Sequence, residues 1–285
     1  MQFKFTKWHG LGNDFVIVNG FSETIDDFQA AAIEVCDRHL GIGADGLVLV
    51  LPSATADFKM RIFNSDGSEA EMCGNVTRCV ARYVYETGLT ANTRITIETE
   101  AGLIIPELVL EQGELKTVKV DMGEPRLQRK DIPLLGAAED QAVNIPLTVE
   151  NERFLVTCVS MGNPHCVIFV DDVDLVDLAA IGPKIETHEL FPRKTNVEFV
   201  QIRDQARLRM RVWERGAGIT LACGTGACAT LAAAVLNSKA GRQAVIELDG
   251  GELFVEWSSK DNHIYMSGPA TEVFRGEFLK KPARC

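Results

Sequence analysis

None of the eight cysteines, at positions 36, 73, 79, 158, 166, 223, 228 and 285, stands in a Cys-x-x-Cys pair. They are too sparse for a secreted disulfide scaffold, and no spacing fits a closed four-ligand zinc site, so no metal is expected. Long apolar runs are also missing. The stretch from Met1 to His9 has neither an apolar core nor a small-residue cleavage site and does not read as a signal peptide. The longest weakly apolar stretch, Leu221 to Leu236, is shorter than a bilayer span and reads as a buried helix. Positive charge is in deficit, with 29 Lys and Arg against 40 Asp and Glu and a formal net charge of -11. That balance argues against nucleic acid and anionic membrane surfaces as partners, since both need basic patches. A small anionic substrate stays open, because a local field can oppose the global one. The expectation is a cytoplasmic protein with reduced thiols, most of them serving as small buried apolar residues.

What is present is an ordinary globular composition, 46% hydrophobic and 24% charged over 285 residues, enough for one large domain or two smaller ones. The chain also repeats itself at an offset of 150 residues. Gly12-Asn13 matches Gly162-Asn163, and each is followed by an apolar strand-like run. Leu47-Val48-Leu49-Val50 matches Val197-Glu198-Phe199-Val200, Met60-Arg61-Ile62-Phe63 matches Met210-Arg211-Val212-Trp213, and Cys73-Gly74 matches Cys223-Gly224. A duplicated fold with no shared site would keep apolar residues in register. Here the matched landmarks include Asn and Cys, which favours two related halves facing each other across one cleft.

Short β-rich runs at 14–18, 47–51, 57–63, 94–99, 103–110 and 115–121, and again at 154–160, 166–171, 196–202, 207–213, 243–248, 252–257 and 263–267, predict strands. Helices are predicted at 26–39, 75–87, 175–187 and 225–238. The run from Ala227 to Leu236 has no polar face, so its helix must be buried, as inside a strongly curved sheet. The fold class expected is α/β (α+β), two pseudo-symmetric halves, each a curved, mainly antiparallel sheet or barrel around a central helix. The first half is expected at 1–122, completed by a C-terminal strand at 270–285, and the second at 123–269, with the site in the cleft between them.

Cys73 and Cys223 each follow an irregular Gly-bearing loop and precede a predicted helix. Free backbone N–H groups at a helix start bind anions, and the same position favours the thiolate. Two such turns sharing one ligand would hold an α-carboxylate and bracket its α-carbon with two thiols. One thiolate removes the α-proton while the other thiol donates from the opposite face, which inverts the centre without a cofactor. The asymmetric residues Asn196, Glu214 and Arg215 suit the rest of such a substrate: Arg215 a second carboxylate, Glu214 an ammonium. His165 is a candidate to tune a thiol. Cys79 and Cys228 lie inside the helices and are assigned to packing.

His9-Gly10-Leu11-Gly12-Asn13-Asp14-Phe15, Phe63-Asn64-Ser65-Asp66-Gly67-Ser68, Met72-Cys73-Gly74-Asn75, Gly162-Asn163-Pro164-His165, Thr195-Asn196-Val197-Glu198, Glu214-Arg215-Gly216-Ala217-Gly218 and Ala222-Cys223-Gly224-Thr225-Gly226 together resemble the diaminopimelate epimerases. The resemblance runs from residue 9 to at least 230. It implies a pyridoxal-independent isomerase that interconverts LL- and meso-diaminopimelate in lysine and peptidoglycan precursor synthesis, with no cofactor and usually as a homodimer. It implies Cys73 and Cys223 as the catalytic thiols. Asn13, Asn64, Asn163, Asn196, Glu214 and Arg215 would contact substrate, and Gly74, Asn75, Gly224 and Thr225 would donate to the reacting carboxylate. His165 and Glu214 would adjust the thiols. Many relatives carry a glycine where Val76 stands, and some place a polar contact where Gly46 stands, so no binding role is carried onto Gly46.

Two rivals remain. A proline racemase-like enzyme of the same architecture would have no distal groups for Glu214 and Arg215 to meet. A thiol redox or binding protein would use Cys73 and Cys223 as a switch.

Overall fold

The computed structural model describes residues 1–279, so the last six positions of the expected strand at 270–285 lie outside the described residues. The chain forms two compact units, Met1–Val120 joined by the chain from Gly268 onward, and Asp121–Ser267.

In the first unit, β1 (Gln2–Gly10), β2 (Asn13–Asn19), β3 (Gly46–Leu51), β4 (Phe58–Asn64), β5 (Glu69–Ala70), β6 (Ile97–Thr99) and β7 (Gly102–Ile104) build one sheet. Its order is β19-β1-β2-β3-β4-β6-β7, with β5 on β4 and β19 (Thr271–Leu279) returning from the far end of the chain. The β2–β3 and β4–β6 pairs are parallel and the others antiparallel. A hairpin of β8 (Glu107–Glu111) and β9 (Glu114–Asp121) follows. The expected strand at 103–110 is therefore broken: Pro106 has no N–H to give a ladder. Helix α1 (Phe28–Cys36) starts two residues later than expected, where the Asp27 carboxylate accepts from the Ala30 N–H at 3.0 Å and caps it. Helix α2 (Gly74–Glu86) packs on β1, β2 and β8.

The second unit repeats this plan. β10 (Ile145–Val149), β11 (Glu152–Ser160), β12 (Pro164–Phe169), β13 (Asn196–Asp204), β14 (Arg207–Glu214), β16 (Gln243–Leu248), β17 (Gly251–Trp257) and β18 (Ile264–Gly268) follow one another across the sheet, with β15 (Gly218–Thr220) on β14. Again two pairs are parallel, β12–β13 and β14–β16. The registers match residue for residue. Phe15 opposes Gly46 and Leu47 opposes Phe63, while His165 opposes Asn196 and Val197 opposes Trp213, each displaced by 150 positions. Helix α3 (Leu178–Glu186) is capped by Asp177, which accepts from Ala180 N–H at 3.1 Å, and a short 3-10 turn, Val173–Leu175, precedes it.

Helix α4 (Gly224–Leu236) touches β11, β12, β13, β14, β16 and β17. A straight helix meets six strands of one sheet only when the sheet curls around it. Ala227, Ala229, Ala232, Ala233 and Ala234 are fully buried, and their small side chains let the strands close in from all sides. This is the curved-sheet, central-helix class that the apolar run predicts. Separate apolar clusters fill the units: Phe3, Val16, Val18, Leu47, Leu49 and Phe63 in the first, and Val156, Ile168, Ile185, Val197 and Phe199 in the second. No helix of the described residues is long and apolar enough to cross a membrane.

Candidate active site

Cys73 and Cys223 occupy the same structural position, the N-cap of a 13-residue helix. Both have extended backbones, with φ and ψ of -146° and 121° for Cys73 and -124° and 110° for Cys223. The residues after each begin the helix, so their N–H groups have no intrahelical acceptor and point outward beside the sulfur. Each cap thus joins a thiol to an anion-binding helix end. All cysteines among the described residues are free thiols.

In the first unit, Cys73 Sγ donates to Asn13 Oδ1 at 3.9 Å, and Asn75 Nδ2 donates to the same oxygen at 3.1 Å. Asn13 Nδ2 donates to Asp45 Oδ2 at 2.7 Å. Behind these residues lies a charged network. Arg38 bridges Asp14 and Asp45, and Lys7 pairs with Asp14 at 2.6 Å and also reaches the Gly43 carbonyl. Burial pushes the Asp14 carboxyl up, but hydrogen bonds from Arg38 and Lys7 outweigh it and hold the pKa at about 2. On α2, the fully buried Arg78 guanidinium donates to Asn75 Oδ1 at 2.7 Å, to Gly74 O at 3.2 Å and to Pro269 O at 3.2 Å. Asn64 is exposed at the end of β4 and donates to Ser68 Oγ at 2.9 Å. Gly74 and Asn75 are buried.

In the second unit, Cys223 is 4% exposed. Its sulfur accepts from Gly226 N–H at 3.4 Å and lies 3.5 Å from Thr225 Oγ1. Thr225 Oγ1 accepts from Asn163 Nδ2 at 3.2 Å, Asn163 Oδ1 meets His165 Nε2 at 3.0 Å, and His165 Nδ1 meets Glu198 Oε1 at 2.6 Å. His165 and Glu198 are fully buried. Burial pushes the Cys223 thiol well above its ordinary value, and the carboxylates of Glu214 and Glu198 add to this; the bonds from Thr225 and Gly226 pull it down. Glu214, at the end of β14, accepts from Thr220 Oγ1 at 2.5 Å. Asn196 works as a brace: its Nδ2 donates to Pro164 O at 2.8 Å and its Oδ1 accepts from Arg215 N–H at 2.9 Å. The exposed Arg215 guanidinium donates to Arg193 O at 3.0 Å.

Thus Asn13, Asn75 and Gly74 gather around Cys73 or its helix start, and Asn163, His165, Gly224 and Thr225 around Cys223. Several participants are not among the residues given a role in the sequence: Asp45, Arg38, Lys7 and Arg78 in the first unit, and Thr220 and Glu198 in the second. Glu198 had a signal: it is a charge inside the apolar run Val197-Glu198-Phe199-Val200, where the repeat partner is Val48. Burial pushes its carboxyl up, His165 opposes that, and Glu214 reinforces it. Among the described residues, no group of three or more His, Cys, Asp or Glu side chains is arranged to hold a metal ion.

The family model described as diaminopimelate epimerase matches residues 5–128 and 157–273. The chain is 56% identical over 276 residues to the diaminopimelate epimerase of Pelotomaculum thermopropionicum, covering 96% of this chain and 98% of that one. It is 54% identical over 274 residues to the diaminopimelate epimerase of Methanococcus maripaludis, covering 96% and 99%. Among solved structures, its fold is similar to a phenazine biosynthesis protein of the PhzF family from Bacillus anthracis, with a TM-score of 0.72 at 18% identity, covering 98% of this chain and 100% of that one. It is also similar to a hydroxyproline epimerase from Agrobacterium vitis, with a TM-score of 0.69 at 15% identity, covering 99% and 94%.

Proposed function

The chain belongs to the diaminopimelate epimerase family, and from that premise we propose that it is an isomerase that interconverts LL- and meso-diaminopimelate, with Cys73 and Cys223 as its two proton-transfer groups. The observation that supports this reading most is the repetition of one device: a cysteine heading a buried helix, followed by glycine, in each repeat. Inverting a carbon in both directions needs a base on one face and an acid on the other, and a duplicated thiol can supply one of each.

The α-proton of an amino acid is weakly acidic, and its removal places charge on the carboxylate oxygens. Backbone N–H groups of Gly74 and Asn75, and of Gly224 and Thr225, are the helix-start donors suited to stabilise that charge. The thiolate takes the proton and the opposing thiol returns one to the other face, so the roles exchange in the reverse direction. At the far end of the substrate, Arg215 suits the distal carboxylate and Glu214 the distal ammonium. Glu214 also makes the neighbouring Cys223 harder to ionise, which favours the protonated form that must donate in one direction. Asn13, Asn64, Asn163 and Asn196 complete the proposed set of contacts. The same reading places the enzyme in the cytoplasm as a homodimer, which size-exclusion chromatography with light scattering tests.

The deciding experiment is incubation of the purified, reduced protein with LL-diaminopimelate in D2O and no added cofactor. The expected result is formation of the meso isomer with deuterium at the inverted α-carbon. Absence of both exchange and inversion overturns the proposal, and equal turnover of proline would favour a proline racemase-like activity instead.

A further inference from the structure

Arg215 sits on the Arg215-Gly216-Ala217 loop of a hairpin between β14 and β15. The hairpin is closed by the pairing of Glu214 with Gly218 and by the Ala217 N–H, which donates to Glu214 O at 3.1 Å. Gly216 and Gly218 both have φ of +78°, and nothing lies within 4 Å of where a Gly216 Cβ would stand. Such a turn is held by hydrogen bonds rather than by packing. Asn196 takes the Arg215 N–H, and Arg193 O takes the guanidinium. A further hold comes from Glu186, the last residue of α3. Its Oε2 accepts from the Trp213 indole N–H at 2.7 Å, and its Oε1 accepts from the Gly216 N–H at 3.2 Å. One carboxylate therefore grips the chain on both sides of Arg215.

The helix is shaped to place that carboxylate. Glu186 is buried, and Lys194 Nζ lies 3.5 Å from its Oε1. The Glu186 backbone carbonyl accepts from the Thr195 N–H at 3.2 Å, so the same residue ties down the segment that carries Asn196. One turn earlier on the same helix face stands Gly182. A Cβ there would lie 2.6 Å from Trp213 Cγ, so the indole packs in the space a side chain would fill. Helix α3 thus offers Trp213 both a slot and an acceptor. The repeat shows that the fold does not require this device. The positions 150 residues before Gly182, Glu186, Trp213 and Gly216 hold Ala32, Cys36, Phe63 and Asp66, and Ser65 stands where the second unit has Arg215. The first unit keeps the same plan with neither the carboxylate nor the indole N–H. Both occur in the unit that carries Arg215.

We propose that Glu186 is a positioning residue for substrate recognition: acting through Trp213 and Gly216, it fixes the hairpin so that Arg215 is set to receive the distal carboxylate of the substrate. This deepens the proposed function and rests on its reading of Arg215. The side chain has to be a carboxylate because two N–H donors approach two different oxygens. An amide has one oxygen, and its NH2 group would meet either the indole N–H or the Gly216 N–H, donor against donor. Glu186 touches neither thiol nor the reacting carbon in this scheme. Its loss therefore weakens the hold on the remote end of the substrate, which raises KM and leaves kcat in place.

The test is Glu186→Gln in the full-length protein. Without substrate, hydrogen–deuterium exchange is read by mass spectrometry on the peptide that spans Arg215 and Gly216. Exchange there should quicken about tenfold, the worth of one hydrogen bond to a charged group, while the matching hairpin at 65–67 keeps its parent rate. No change, or equal acceleration in both hairpins, overturns the proposal. This arm needs no turnover, so a parent protein that fails to convert diaminopimelate sinks the proposed function and leaves the hold on the hairpin to be judged alone. In steady-state kinetics KM for LL-diaminopimelate should rise about tenfold with kcat within about twofold of the parent. An unchanged KM, or a fall in kcat alone, overturns the role. Trp213→Phe removes one of the two donors. Added to Glu186→Gln, it should recover part of the lost KM, because the amide oxygen is then left to Gly216; a double variant no better than Glu186→Gln overturns the two-donor clamp. Should Glu186→Gln not fold, Trp213→Phe alone carries the test: hairpin exchange and KM should both rise, and parent values of either overturn the proposal.

Discussion

Replacing Gly226 by alanine tests whether the second thiol sits in a space defined by Glu198. In an ordinary helix this substitution stabilises by about 1 kcal/mol, because alanine is the better helix former. Here a Cβ would lie 2.8 Å from Glu198 Oε1 and 3.2 Å from Cys223 Sγ. The carboxylate is buried and held by His165, so it has no solvent to swing into, and one of the two must shift. Overpacking of this kind costs about 1–3 kcal/mol, which outweighs the helix gain. We expect the variant to be less stable by about 1 kcal/mol and to lose at least about tenfold in kcat/KM, since displacing a reacting atom by about 1 Å costs far more in rate than in stability. The repeat supplies the control. The equivalent positions in the first unit carry Val76 and Val48, both fully buried, so a side chain is accommodated there where no carboxylate competes. Glu198→Val should therefore offset part of the stability cost of Gly226→Ala, with a coupling of about 1 kcal/mol in a double-mutant cycle. Denaturant midpoints and initial rates on the four proteins decide it. A Gly226→Ala protein that is more stable than the parent and equally active refutes the reasoning.

Asp14→Asn should reveal the acid network behind Cys73. The folded-state pKa of Asp14 is depressed from 3.8 to about 2, so its contribution is complete above the unfolded value and is lost as pH falls through the folded one. Denaturant titrations should show the variant less stable by about 2 kcal/mol at neutral pH, the gap closing between about pH 4 and pH 2; a gap that does not change with pH would contradict the assignment. Arg215→Ala should raise KM for diaminopimelate by about ten- to a hundred-fold, as expected for a lost charge-assisted contact. Steady-state kinetics check this, and an unchanged KM removes Arg215 from the substrate's distal carboxylate.

Much of the fold is legible along the chain because its signals are local. The helices after Cys73 and Cys223 are readable within a residue or two, and the apolar run of α4 announces that a sheet must enclose it. Among the strands that escape a local reading, β1 shows what a short window misses. β1 alternates only at its start, since Thr6 and Lys7 are both buried in the middle of the strand. A buried lysine is sensible only beside Asp14 and the Gly43 carbonyl, which no short window shows. β10 and β11 pair as neighbours in sequence, whereas β1 finds the corresponding edge partner, β19, at the other end of the chain. The surroundings of the thiols divide in the same way. The repeat points to the cysteines and the asparagines beside them, but which way each amide faces is set by Asp45 and by Glu198 through His165. Those partners are matched in the repeat by Thr195 and Val48, so the internal similarity conceals them.

The central claim is that one stereocentre is worked on by two thiols, and single removal of each tests it most directly. Cys73→Ala and Cys223→Ala, each shown to be folded by circular dichroism, are assayed for conversion of LL- to meso-diaminopimelate. We predict a loss of about 10³-fold or more in kcat/KM for both, the scale of a missing general acid or base. Conversion by either variant at the rate of the parent protein would contradict the account.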